Sequence, residues 1–251
     1  MLLRRVIEHI KTQHWTAVAI DFVIVVVGVF LGIQVSNWNQ ARQEDHRAYQ
    51  ALMDLHDEFA GIDKTAAGLA DFYAGALGNQ AILLRSIKLG RFDPADHKAI
   101  KDAVALGLVY GDPPPPSGTF RDLLSSGSLG LIRDKALRLK LIEYDQSLEI
   151  INNSDTNIQI GLSNFYPAYV RHMSIRGGPT LPNFKDNSLF VENTFTSVDV
   201  DFDAILNDND FHVAADQAFL AQQYRLINIR LGQSKIATIR KLIAKDLEAG
   251  R

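Results

Sequence analysis

The longest apolar run lies near the start of the chain, from Trp15 to Trp38 (WTAVAIDFVIVVVGVFLGIQVSNW), and Asp21 is its only ionisable side chain. At a rise of about 1.5 Å per residue the two tryptophans stand about 35 Å apart, slightly more than a hydrocarbon core of about 30 Å. Tryptophan favours both interfaces of a bilayer, so Trp15 and Trp38 mark the ends of a membrane-spanning helix predicted over residues 15–38. Ahead of it, Leu3, Val6, Ile7, Ile10 and His14 share one side of a helix, with Arg4, Glu8 and Lys11 elsewhere. Residues 1–14 therefore read either as an interfacial amphipathic segment or as the cytoplasmic end of the spanning helix itself.

Inside the span, Asp21, Val25, Gly28, Gly32, Val35 and Asn39 recur at alternating steps of four and three, which puts them on one helical face. Gly28 and Gly32 form Gly-x-x-x-Gly, a spacing that lets two helices approach closely in lipid, where packing drives association. A charge near mid-membrane costs about 2.5 to 3.5 kcal/mol on insertion scales, so an acid there faces a partner, a bundle interior or water. The face is read first as a packing and oligomerisation surface. Two alternatives stay open: Asp21 sits near the interface and sets only the register, or it lies on an ion or proton path.

Beyond Trp38 the pattern stays helical to about Gly90, with Leu52, Leu55, Phe59, Ile62, Ala66, Leu69, Tyr73 and Ala76 forming a seam of three- and four-residue steps. Large and small residues mix in it, which favours packing inside the domain's own bundle over an intermolecular coiled coil. Asp93 and Pro94 start a helix that runs to about Val109. Gly111, Asp112 and Pro113 to Pro116 break the chain with a stiff extended connector. Thr119 is expected to cap a short helix through Ser126, Gly127 and Gly130 to permit tight turns, and Asp134 to cap a long helix towards Met173. Residues 174–200, with Gly177, Gly178, Pro179 and Pro182, read as irregular, and Phe184, Phe190, Phe195 and Phe202 suggest that they fold back onto the bundle. A last long helix from Phe211 to about Leu247 carries Phe219, Leu220, Tyr224, Ile227, Leu231, Ile236, Ile239, Ile243 and Leu247, with Lys235, Arg240, Lys241 and Lys245 as a solvated basic end. The predicted fold class is all-α: a single N-terminal transmembrane helix continuing into an extramembrane up-down helical bundle over residues 39–251.

Composition narrows the function. The 251-residue chain has a formal net charge of −3, so it offers no basic face for nucleic acid, and it has no cysteine, which removes disulfides, thiol catalysis and thiolate metal sites. The basic start and apolar run resemble a secretory signal, but the long span ends in Gln34, Val35, Ser36, Asn37 and Trp38 where a small-residue cleavage site belongs, so an uncleaved anchor is expected. Arg4, Arg5 and Lys11 before the span against Arg42 and Arg47 after it lean towards a cytoplasmic N-terminus. No catalytic motif stands out: the glycines and serines near Gly127 lack the strand and Gly-Lys-Ser/Thr of a phosphate loop and the Gly-x-Ser-x-Gly of a hydrolase elbow. Asp199, Asp201, Asp203 and Asp210 resemble calcium-loop spacing, yet Ala204 replaces the turn glycine and no glutamate closes the loop, so they are read as helix caps. His9, His14, His46, His56, His97, His172 and His212 show no paired metal spacing. No cofactor, metal site or enzymatic activity is expected.

Asp21 to Asn39 (DFVIVVVGVFLGIQVSNWN) and Thr119 to Tyr144 (TFRDLLSSGSLGLIRDKALRLKLIEY) together resemble a family of bacterial single-pass membrane proteins that carry a domain of unknown function. The likeness rests on an acid, an apolar run and Gln-x-x-Asn-Trp-Asn, matched at Asp21, Gln34, Asn37, Trp38 and Asn39. It implies a bacterial inner-membrane protein with the C-terminal domain in the periplasm and implies no activity or catalytic residue. The expected function is a non-enzymatic interaction, scaffold or sensory module that forms a homo-oligomer through the transmembrane helix. Its partners would be the lipid bilayer and an unidentified membrane or periplasmic protein. The alternative is a small ion- or proton-conducting assembly using Asp21.

Overall fold

A stretch with no proline from Trp15 to Leu89 has nothing to interrupt its helical hydrogen bonds. The computed structural model, which describes residues 15–109, 113–175 and 198–249, forms a single 75-residue helix there, α1 (Trp15–Leu89). It stops where predicted, at Gly90, whose φ of +66° only glycine adopts cheaply. Gly90 N–H donates to the Ile87 carbonyl at 3.0 Å and Arg91 N–H to that of Ser86 at 3.2 Å, closing the helix end. The predicted segment 1–14, and Gly111, Asp112, Gly177, Gly178, Pro179, Pro182, Phe184, Phe190 and Phe195, lie outside the described residues.

Two compact units divide at Ala51 and Leu52. In the first, the apolar part of α1 is exposed from Ile20 to Trp38. It is the one helix among the described residues long and apolar enough to cross a membrane. In the second, all eight seam residues from Leu52 to Ala76 are buried, so the seam packs within its own bundle. The Phe59 ring meets Tyr144 edge-on at 5.5 Å, which is typical of the contacts that fill it.

The second unit's remaining elements follow from local caps. Asp93 accepts from Ala95 N–H at 2.9 Å and opens a 3-10 turn, Pro94–Asp96, that leads into α2 (His97–Leu106). Helix α2 ends before Val109. Helix α3 (Gly118–Ser125) is capped by Ser117, whose Oγ accepts from Phe120 N–H at 3.0 Å, and not by Thr119. The choice is made from outside: the Glu58 carboxylate takes Ser117 Oγ–H, Gly118 N–H and Thr119 N–H at 2.6, 2.6 and 3.2 Å, so α1 itself holds that helix start. Gly127 adopts φ +71°, as its turn requires, whereas Gly130 lies inside the 3-10 turn Ser128–Leu131 and needs no positive φ.

Asp134 caps α4 (Lys135–Ser163) through Ala136 and Leu137 N–H groups. This helix stops at Ser163 and does not reach Met173, because Pro167 has no N–H to give the Ser163 carbonyl and its ring would clash there. The proline instead starts the short α5 (Tyr166–Val170). Two three-residue strands not foreseen in the sequence follow, β1 (Met173–Ile175) and β2 (Val198–Val200), antiparallel with Ser174 opposite Asp199. Asp201 caps α6 (Phe202–Leu206), and the chain closes with the 41-residue α7 (Asn209–Ala249).

Helix α7 corrects the apolar face read from the sequence. Ile236, Ile239 and Ile243 are buried, but Leu220, Tyr224, Ile227 and Leu231 are exposed. The buried seam runs instead through Phe211, Ala215, Ala218, Gln222, Arg225, Ile229, Ile236, Ile239 and Ile243. Alanines let helices approach closely, and the polar pair is buried because each side chain finds a partner. At the basic end Lys241 and Lys245 are exposed, as expected, although Arg240 pairs with Asp63 and Lys245 lies 3.7 Å from Asp134.

Gly107, just past α2, marks the tightest packing. A Cβ there would overlap Gln80 Nε2, Tyr169 Oη and the Ala103 carbonyl. Gly107→Ala should lower unfolding stability by about 1–3 kcal/mol through overpacking. Gly78→Ala, where a Cβ meets nothing within 4 Å, should raise it by about 0.5–1 kcal/mol through helix propensity. Denaturant titration of the full chain in detergent reads both.

Candidate functional site

The predicted membrane face lies wholly in the first unit. At about 100° per residue, Asp21, Val25, Gly28, Gly32, Val35 and Asn39 fall within an arc of about 80° on α1. All six are exposed, and a Cβ built at Gly28 or Gly32 has nothing within 4 Å. Trp38 is exposed as well, and Trp15 begins the helix. From Ile20 to Val35 the bulky apolar side chains are roughly half to two-thirds exposed. Burying each is worth about 1.5–3 kcal/mol, so a stripe of this length demands an apolar surrounding or other helices.

The second unit has a polar seam that no sequence motif announced. Gln80, fully buried on α1, donates from Nε2 to the Ala103 carbonyl at 2.9 Å and to Tyr169 Oη at 2.7 Å. Gln222 on α7 donates to the carbonyls of Leu106 and Gly107, both at 3.0 Å. Two glutamines thus satisfy the C-terminal carbonyls of α2, which is why that helix can end inside the core. Burial pushes the Tyr169 hydroxyl above its ordinary pKa, partly offset by the Gln80 bond, so it stays neutral.

Three residues further along α7, Arg225 forms an ion pair with Asp155 on α4, the two being 1% and 4% exposed, with the guanidinium carbon 6.0 Å from the Tyr73 ring centroid. Beside it is an about 10 Å³ cavity lined by Pro113, Pro114, Tyr144, Ser147, Arg225 and Asn228, room for a single water. A wider groove of about 420 Å³ opens between Leu108, Gln159, Leu162, Ser163 and Tyr166. The charged pair is enclosed and internally neutralised, an arrangement that joins helices and leaves no free acid or base facing either space.

At the head of α7, Asp208 accepts from the Asp210 and Phe211 N–H groups and pairs with His172 Nε2 at 2.6 Å and Arg171 at 3.1 Å. The His172 bond, followed by the Phe211 N–H and the Arg171 charge, outweighs burial and holds its carboxyl down at about 2. His97 stacks on Phe202, and His212 Nε2 bonds the Ile205 carbonyl. Asp199 pairs with Lys101, Asp201 caps α6, and Asp210 lies 3.9 Å from Arg171, so these acids serve separate partners. Among the described residues no group of three or more such side chains is placed to hold a metal ion.

The sequence carried no motif for the polar seam. The signal for it was present in the register: from Phe211, steps of four and three land on Gln222 and Arg225 between Ala218 and Ile229.

Two measurements check this site. Arg225→Leu or Asp155→Leu alone should cost about 3–5 kcal/mol by stranding a buried charge, and the double variant should recover most of that loss in the same denaturant titration. Asp208→Asn should be less stable than wild type at pH 7. Because the carboxyl is depressed in the folded chain, its contribution is present above its ordinary value near 3.8 and is lost as pH falls towards about 2, so the two melting curves should converge across that window.

No family model matches this chain, and no curated protein or solved structure matches it, so a functional reading rests on its own residues.

Proposed function

We propose that this chain is a membrane-anchored helical-bundle protein acting as a non-enzymatic interaction, scaffold or sensory module, oligomeric through its transmembrane face. The observation that carries the reading is the first unit's helix, apolar and exposed from Phe22 to Ile33, attached to a second unit with a closed core of its own. In lipid the exposed apolar side chains are solvated, and the arc of Asp21, Gly28 and Gly32 is left as the surface on which another helix can pack. The bilayer is then the first partner, a second copy the next, and a membrane or periplasmic protein the third. The resemblance to the bacterial single-pass family and the flanking Arg4, Arg5 and Lys11 support an inner-membrane location with the N-terminus in the cytoplasm and the bundle in the periplasm.

Asp21 on the same arc also favours a second reading, a small assembly in which this acid carries ions or protons. The two separate by experiment. In nanodiscs the wild type should run as an oligomer, and Gly28→Ile with Gly32→Ile should weaken association by about tenfold or more, measured by mass photometry over a dilution series. A strictly monomeric wild type ends the oligomeric reading. Proton flux into proteoliposomes that is lost in Asp21→Asn establishes conduction; equal flux in both, or none, removes it. Carbonate-washed membranes report anchoring, and because the chain has no cysteine, labelling of Glu149→Cys from outside reports the side.

A further inference from the structure

Helix α7 carries a second apolar seam that stays exposed among the described residues. Val213, Leu220, Tyr224, Ile227 and Leu231 are 43, 54, 41, 51 and 59% exposed. With Gln217 they recur at steps of four and three, the a and d spacing of a two-stranded coiled coil. At about 100° per residue the stripe is centred about 150° from the buried seam, so it points away from the core. Scattered exposed leucines need no explanation, but a continuous seam of more than two heptads does.

We propose that this seam pairs, parallel and in register, with α7 of a second copy of the chain. The seam's one polar member decides the direction. In register, Gln217 meets Gln217 of the second copy, and the two amides bond each other as a polar a-position pair does. An antiparallel pair that matches Leu220 with Tyr224 sets Gln217 against Ile227 instead. That leaves a buried amide unbonded, a loss of about five- to a hundredfold in association. The antiparallel arrangement gains Asp216 against Arg230, both exposed, an ion pair worth at most about fivefold. Parallel pairing wins on those magnitudes. It ends where Arg230 faces Lys235 of the second copy and the seam gives way to Ser234 and Thr238.

The area sets the conditions. Five half-exposed side chains and their flanks supply on the order of 500 Å² per copy, short of the about 800 Å² per partner of a stable complex. Pairing therefore needs the high effective concentration that a shared membrane provides, and to that extent it rests on the anchored reading.

Single cysteines in the otherwise cysteine-free full chain test it, with oxidation in native membranes and dimer read on non-reducing gels. Leu220→Cys and Ile227→Cys, at directly opposed positions, should give at least fivefold more dimer than Glu149→Cys on the outside of α4 or Gln223→Cys on the seam's flank. Adding Ile227→Glu to Leu220→Cys, an exposed position that leaves the core intact, should remove that dimer. Crosslinking through Gln223→Cys in preference to Leu220→Cys indicates antiparallel pairing and overturns the proposal, as does a uniformly low yield from washed membranes that contain the protein. If the chain is found in the soluble fraction, the anchored reading fails separately. The same oxidation of the concentrated soluble protein then decides the pairing by the same pattern.

Discussion

A guanidinium that is 1% exposed constrains everything packed around it. Arg225 cannot be left charged in the core without a carboxylate, and Asp155 supplies one from the neighbouring helix. That pairing fixes the register of α7 against α4, because a shift of one residue on either helix would leave two buried charges apart. The Tyr73 ring on α1 lies against the same guanidinium, so three helices share one register point. Gln222 sits three residues before Arg225 and therefore on the same face, where it reaches the end of α2. The polar seam thus assigns neighbours that alanine and isoleucine contacts alone would leave interchangeable.

The same helix shows why part of the fold was legible in the sequence and part was not. Elements written in local chemistry could be read directly: no proline before Gly90, Asp93 before Pro94, Asp134 ahead of a long amphipathic run, and the eight-residue seam from Leu52 to Ala76. The shared arc of Asp21, Val25, Gly28, Gly32, Val35 and Asn39 was legible for the same reason, since six residues on one helix need only its pitch to be placed together. What failed depended on contacts distant in sequence. Ser117 displaces Thr119 as a cap because Glu58, far back on α1, takes the hydroxyl and two amides at once. Ser174 and Asp199 pair across a long separation that no alternation in three-residue strands could signal. Arg225, whose type favours the surface, lies inside the core because Asp155 pairs with it.

The break at Ser163 lies between these cases. Pro167 stands in plain view, and its clash with the carbonyl four residues earlier is local chemistry; the expected helix from the Asp134 cap towards Met173 ran through it. The structure resolves the conflict by ending α4 and restarting as α5, which still brings Tyr169 into the core beside Gln80. Backbone chemistry decided where the helix ended, and burial decided where the next one pointed.

Two seams on α7 express two different requirements. The inner one tolerates Gln222 and Arg225 because each has a fixed partner, and it uses alanine where helices come close. The outer one uses leucine, isoleucine, valine and tyrosine with Gln217 as its one polar member, although it is exposed among the described residues. If solvation were its only condition, polar residues would serve at every one of those positions, as they do on the exposed face beyond Leu231, where Ser234, Thr238 and Lys241 replace it. The change of character within a single unbroken helix locates a boundary between an exposed apolar surface and an exposed polar one. The same contrast appears in the first unit, where the apolar stripe of α1 gives way at Gln40, Arg42 and Glu44. Each unit therefore presents an apolar surface larger than its own packing accounts for, and in each the surface lies on a helix whose geometry is set elsewhere: by hydrogen bonds within α1, and by the Arg225–Asp155 pair for α7.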